Sequence, residues 1–183
     1  MSEHLTAEQL AQEARKAYEE EEYEQAEIGF AAAQTAYQAV EDTLSATEMA
    51  NNRSVALLKA GKAQNAYDAA KDTDLVFAQA GDQRRQAMAL GNQAAALDAL
   101  KKKQEALELY LRSAEIFKQL GDMEMRAYVM QSISGIQLSQ GKRVEALISM
   151  EAALEHKPHL SLRERFLRWL LRIVSKMMKR PTN

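Results

Sequence analysis

The stretch Leu57-Leu58-Lys59-Ala60-Gly61-Lys62-Ala63-Gln64-Asn65-Ala66 decides the fold, because its last residue belongs to a column. A forty-residue step in either direction from Ala66 lands on Ala26, Ala106 and Ala146. Other columns keep the same period. Positions 14, 54, 94 and 134 read Ala, Ser, Ala, Ser, and 33, 73, 113 and 153 read Ala, Thr, Ser, Ala. Tyr37, Phe77 and Phe117 stand in register, as do Asp42, Asp82 and Asp122, while Gly61 is echoed by Gly141 and Gly81 by Gly121. Agreement in several columns at one period is the signature of a repeat array.

Each column has a mechanical meaning. Helix axes approach to about 8 Å only where small side chains sit at the crossing. Ala14, Ser54, Ala94 and Ser134 on a first helix therefore face Ala26, Ala66, Ala106 and Ala146 on a second. The aromatics lie three turns beyond the small residue and fill the gap towards the next pair. Asp42, Asp82 and Asp122 suit helix starts, where a carboxylate accepts from free backbone N–H groups. The four glycines suit the left-handed residue that ends a helix, and Thr6 with Gln9 reads as a capping box.

This plan predicts helices near 6–20, 23–40, 43–60, 63–80, 83–100, 103–120, 123–140, 143–156 and 161–179. Connections of about two residues force neighbours antiparallel. One pair exposes an apolar face that the next pair covers, so the expected fold is all-α: a right-handed solenoid of four helix pairs plus a terminal helix. The repeat array is expected to fill residues 1–158, with units at about 6–41, 42–81, 82–121 and 122–158. A basic amphipathic helix and short tail occupy 159–183.

Composition agrees. Apolar residues make up 46% of the 183 and charged residues 27%, with two prolines and seven glycines, a mixture that favours helix and a buried core. The absence of cysteine removes disulfides and thiolate chemistry. His4, His156 and His159 lack metal-ligand spacing, and no phosphate loop, nucleophile elbow or paired-carboxylate pattern is present. The expectation is a protein that is not an enzyme, takes no cofactor, metal or small-molecule substrate, and binds no nucleic acid. Met1-Ser2-Glu3-His4 opens acidic and polar, without the pattern of a secretory signal, so a cytoplasmic location is expected.

Gly141-Lys142-Arg143-Val144-Glu145-Ala146, followed by Ala153-Leu154 and Pro158, resembles the second half of a tetratricopeptide repeat. The segment from Asn52 to Ala66, Ala89-Leu90-Gly91-Asn92 and Glu105-Ala106-Leu107 are similar to the same family. The forty-residue spacing resembles its longer-helix variant. Glu21 and Lys101 replace the turn glycine, and Ala70 stands where Phe30 and Tyr110 stand in other units. The resemblance implies a protein–protein interaction scaffold whose first helices line a concave, partner-binding groove. Carried onto this chain, the groove residues are Asn51, Asn52, Val55, Lys59, Met88, Asn92, Tyr128 and Gln131. Asn52 and Asn92 share a register, and their amides either bond a peptide backbone or fix the packing between repeats. Basic residues on these helices, among them Arg53, Arg84, Arg85 and Arg126, point to an acidic protein or peptide partner.

The C-terminal helix is the second candidate surface. At 100° per residue, Leu162, Phe166, Trp169, Leu170, Ile173 and Met177 cluster, flanked by Leu167, Leu171, Val174 and Met178. Arg165, Arg168, Arg172, Lys176 and Lys179 take the other side, with Arg163 and Arg180 at its margins. Seven basic side chains between 161 and 180 face one acid, Glu164, although the whole chain carries a net charge of −2. The apolar arc is wider than capping the array requires. Three readings follow: a capping helix, a peripheral contact with an anionic membrane surface, or contact with a protein, including self-association.

Overall fold

The computed structural model describes residues 5–155 and 160–178, with the side chains of 163 and 174–178 outside the description. Ten helices are present among the described residues: α1 (Ala7–Glu19), α2 (Tyr23–Ala39), α3 (Thr43–Lys59), α4 (Ala63–Ala70), α5 (Thr73–Gln79), α6 (Gln83–Ala99), α7 (Lys103–Gln119), α8 (Met123–Ser139), α9 (Arg143–Glu155) and α10 (Leu162–Met178). The fold is all-α, with antiparallel helices packed in a solenoid-like arrangement. The chain divides into two compact units, with the boundary inside α7 between Leu109 and Tyr110.

The punctuation follows from local chemistry. Thr6 accepts from the Gln9 backbone N–H while the Gln9 side chain accepts from the Thr6 N–H, completing the capping box of α1. Asp42, Asp82 and Asp122 cap α3, α6 and α8 by accepting from the N–H groups of Ser45, Arg85 and Met125. Gly61, Gly81, Gly121 and Gly141 all sit at positive φ. At the first of these, the Gly61 N–H donates to Leu58 O and the Lys62 N–H to Leu57 O, which satisfies the carbonyls at the end of α3. Glu21 and Lys101 adopt the same left-handed conformation without being glycine, at φ 62° and 65°, and so does Glu41 at 59°. Each side chain there costs about 1–2 kcal/mol, which the packing of flanking helices offsets.

The small columns lie where helices cross. Ala14, Ser54, Ala94 and Ser134 are all buried, as are Ala26, Ala66, Ala106 and Ala146. In the second unit the Ser134 hydroxyl donates to the Ala146 carbonyl at 2.8 Å, so two columns meet atom to atom. In the first unit α1 and α2 approach closely at Gly29, where an added Cβ would lie 2.8 Å from the Ala14 Cβ of α1. Around them Phe30, Ala33, Met49 and Ala56 complete a core cluster, with Tyr37 packed against its edge. Phe77 and Phe117 are fully buried, whereas Tyr37 is only partly so.

One helix departs from the expected plan. The span expected as a single helix near 63–80 is broken into α4 and α5 by Lys71, extended at ψ 133°, and Asp72, left-handed at φ 61°. The local sequence explains it. Asp and Thr side chains compete with helical backbone bonds, and Lys71-Asp72-Thr73-Asp74 concentrates three of them. The Thr73 hydroxyl donates to the Ala70 carbonyl at 2.6 Å, and Asp74 accepts from the Gln93 amide of α6 at 2.8 Å. Both are buried, so one local bond and one tertiary bond replace helical ones. Ala70 also lacks the ring that Phe30 and Tyr110 place at the same register.

Capping gives a pH dependence. Hydrogen bonds from the Arg85 backbone and guanidinium hold Asp82 below its ordinary 3.8, and the Ser45 N–H and hydroxyl do the same for Asp42. A carboxylate whose folded pKa is depressed contributes stability that is present above the unfolded value and lost as pH falls through the folded one. Acid titration of unfolding is therefore expected to show stability falling below about pH 4. In Asp82→Asn, which keeps a capping oxygen but not the charge, this fall should be shallower. An unchanged acid limb would remove Asp82 as its source.

Candidate functional site

The first helices of the first unit, α1, α3 and α6, are joined by a chain of charged side chains. Arg15 of α1 donates to Glu48 of α3 at 3.2 Å. Arg85 of α6 donates to the other Glu48 oxygen at 3.2 Å and to Asp82 at 2.6 Å. Glu48 is thus bridged from both sides. The Arg85 guanidinium also stands 5.2 Å over the Phe77 ring. Its bonds to Asp82 push its pKa above the usual arginine range, so it carries charge under all ordinary conditions. Arg53 of α3 is held by Glu27 of α2 at 2.6 Å.

Beside this chain a slot of about 320 Å³ opens between α1, α2 and α3. Tyr18, Phe30 and Val55 provide its apolar wall, while Arg15, Glu48 and Asn52 provide polar groups. The slot has the makings of a recognition pocket: mostly apolar lining with a few placed polar atoms.

The two register-matched asparagines part company here. The Asn92 amide donates to Asn51 Oδ1 at 3.0 Å, joining α6 to α3. Asn51 is buried, so this bond belongs to packing between the helices. Asn52 is half-buried in the slot and its amide bonds to no described protein group. The structure therefore brings Asn51 and Asn92 together as a strut and leaves Asn52 with Val55 on the binding side. Lys59, a turn beyond Val55, is exposed, and Met88 is half-buried with its sulfur 3.8 Å from the Arg84 guanidinium. Tyr128 and Gln131 lie on α8 in the second unit, Tyr128 exposed and Gln131 half-buried.

Two of the basic residues expected on this face are held in ion pairs. Arg53 and Arg85 are committed to Glu27, Glu48 and Asp82, which lowers the attraction available to an acidic partner. Sequence reasoning missed Tyr18, Phe30 and the Arg15–Glu48–Arg85 chain. The i, i+3 pair Asp82/Arg85 was a readable signal, whereas the longer-range pairings needed the fold. A second, larger cleft of about 830 Å³ marks the α4–α5 break and is lined by Gln38, Glu41, Thr47, Lys71 and Asp72 among others.

In the second unit, α10 packs on α9 by a side that the helical wheel did not favour. Leu171 is 4% exposed and Arg168 donates to the Leu154 carbonyl at 3.5 Å. Leu171 lies about 140° round the helix from Phe166. The centre of the apolar arc points away from α9: Leu162 is 80% exposed, Phe166 62% and Trp169 57%, with Leu170 and Ile173 also in contact with solvent. The Phe166 and Trp169 rings pair at 5.7 Å. Arg165 and Arg172 are exposed, and Arg172 with Arg168 borders a cleft lined by Glu151 and Glu155 of α9. Ser161 and Glu164 form a capping box at the start of α10, a Ser-x-x-Glu pattern that was legible in the sequence. Lys179, Arg180, Pro158, His4, His156 and His159 lie outside the described residues, as do the side chains of Arg163, Val174, Lys176, Met177 and Met178.

Among the described residues, no cluster of three or more His, Cys, Asp or Glu side chains could hold a metal ion, and no helix is long and apolar enough to cross a membrane. The molecule is an all-helical repeat protein. No family model and no curated protein matches the sequence. Among solved structures, the crystal structure of BtubC (BKLC) from P. vanneervenii is similar to it. The TM-score is 0.73, with 17% sequence identity over 96% of this chain and 82% of that one. At that identity the likeness is one of fold.

Proposed function

We propose that the chain is a tetratricopeptide-like, non-catalytic scaffold that works in the cytoplasm and binds a peptide or protein segment on the first-helix face of its first unit. The observation that carries this reading is the unpaired, half-buried Asn52 amide in the slot walled by Tyr18, Phe30 and Val55. A primary amide offers a donor and an acceptor together, which is what an extended peptide backbone presents. The apolar wall accepts one bulky side chain, and the Arg15–Glu48–Arg85 chain fixes the helices that shape the slot. A rigid slot loses little conformational entropy on binding.

The asparagines supply the test. Asn52→Ala is expected to weaken capture of the bound partner about tenfold, which is the loss of one well-placed hydrogen-bonding group, with an unchanged melting temperature. Asn92→Ala should do the opposite: it removes the bond to buried Asn51 and costs about 1–2 kcal/mol of stability. Calorimetric titration of the captured partner and thermal unfolding of both variants provide the readout. Undiminished binding by Asn52→Ala and by Val55→Asp would remove the slot as the site.

A further inference from the structure

We infer that α10 is a membrane-interface helix that docks on an anionic lipid bilayer through the face centred on Phe166 and Trp169 while its opposite side stays on α9. Geometry gives the first reason. A helix whose task was to cap an array would turn its apolar stripe inward. Here the described part of the stripe is turned out, and among the described side chains Leu171 and Arg168, with Arg172 at the edge of the cleft, lie towards α9. The helix therefore need not detach to expose its apolar residues. Leu162, Phe166, Trp169, Leu170 and Ile173 form one outward face, about the width that an interfacial helix buries at the boundary between headgroups and acyl chains.

Charge gives the second reason and chooses between occupants. Arg165 is exposed at the edge of the outward face, Arg172 is exposed and borders the cleft where Glu151 and Glu155 of α9 lie, and the one acid of the helix, Glu164, is engaged in its capping box. Residues 161–180 carry five arginines and two lysines against one acid, so a second copy of the helix meets like charge, which opposes a homodimer at this surface. An anionic bilayer meets the same arginines with opposite charge, and each basic residue near such a surface contributes about fivefold to partitioning. Trp169 adds a third indication, since an indole prefers headgroup depth, where its ring is apolar and its N–H finds a partner.

Trp169 is also the only tryptophan in the chain, so its emission reports this face alone. The test uses the full chain with vesicles of phosphatidylcholine containing about one third phosphatidylserine, at low salt. Co-sedimentation is expected together with a shift of Trp169 emission to shorter wavelength, and both should fade as salt rises. Phe166→Ser with Leu170→Ser, which alters exposed side chains and keeps the probe, should lower vesicle binding at least tenfold with the melting temperature unchanged. Arg165→Glu with Arg172→Glu should lower it to a similar degree. Absence of sedimentation at low salt overturns the inference, as does equal binding to pure phosphatidylcholine by the wild type and the charge-reversed variant. An emission shift that depends on protein concentration without lipid assigns the face to a second copy and likewise overturns it.

Discussion

Phe77→Ala is expected to destabilise the protein by about 3–5 kcal/mol, measured by chemical denaturation followed through helical circular dichroism. The ring has no solvent exposure. It sits on α5, a helix of only seven residues that begins at the left-handed Asp72, so the helix has little stability of its own and relies on its buried side chains. Truncation removes the transfer energy of the ring and leaves a cavity that the neighbouring helices fill only in part. It also takes away the surface beneath the Arg85 guanidinium, 5.2 Å above the ring, and Arg85 is the cation that bridges α6 to Glu48 of α3. Phe77→Leu, which keeps most of the volume, should recover more than half of the loss. An effect of Phe77→Ala below about 1 kcal/mol would show that α5 contributes little to the core.

Gly29→Val is expected to cost about 3 kcal/mol, and Gly29→Ala to give no gain, although alanine in a helix interior is ordinarily better than glycine by about 1 kcal/mol. A Cβ at position 29 meets the Ala14 Cβ at 2.8 Å and the Ala14 Cα at 3.2 Å, and the second of these is backbone that cannot swing aside. Separating α1 from α2 to make room would loosen a core that contains Ala11, Ala26, Phe30 and Ala33. Gly135 of α8 is the internal control. Nothing lies within 4 Å of a Cβ built there, so Gly135→Ala should realise the helix-propensity gain in full. If both alanine variants stabilise equally, the close approach at Gly29 is not rigid in solution.

These two predictions also show where the sequence was legible and where it was not. The column 14/54/94/134 was readable as a crossing because small residues recur at one period, and its members are buried. Gly29 lies outside every column, so its contact with Ala14 had no periodic signal. The helix caps were legible because Thr6, Asp42, Asp82 and Asp122 act on backbone groups three residues away. The α4–α5 break was harder to read. Asp72, Thr73 and Asp74 weaken the helix locally, but the bond that holds the break, from the Gln93 amide to Asp74, comes from nineteen residues away.

The binding surface divides along the same line. A shared register placed Asn52 and Asn92 together as candidates, because period alone treats equivalent positions alike. Only the packing of α6 on α3 turned Asn92 towards Asn51 and left the Asn52 amide open to the slot. The arginines of the same face looked free in the sequence, yet Arg53 and Arg85 find carboxylates on neighbouring helices.

By itself the sequence determined the all-helical plan, the caps and the small-residue crossings, because each depends on hydrogen bonds and contacts repeated at short or periodic separations. It also determined that α10 is amphipathic, since a helical wheel is local arithmetic. The tertiary structure alone decided which side of α10 meets α9. Among the described side chains, buried Leu171 and the Arg168 bond to Leu154 mark that side, and the outward turn of Phe166 and Trp169 follows from contacts that no spacing within the helix encodes.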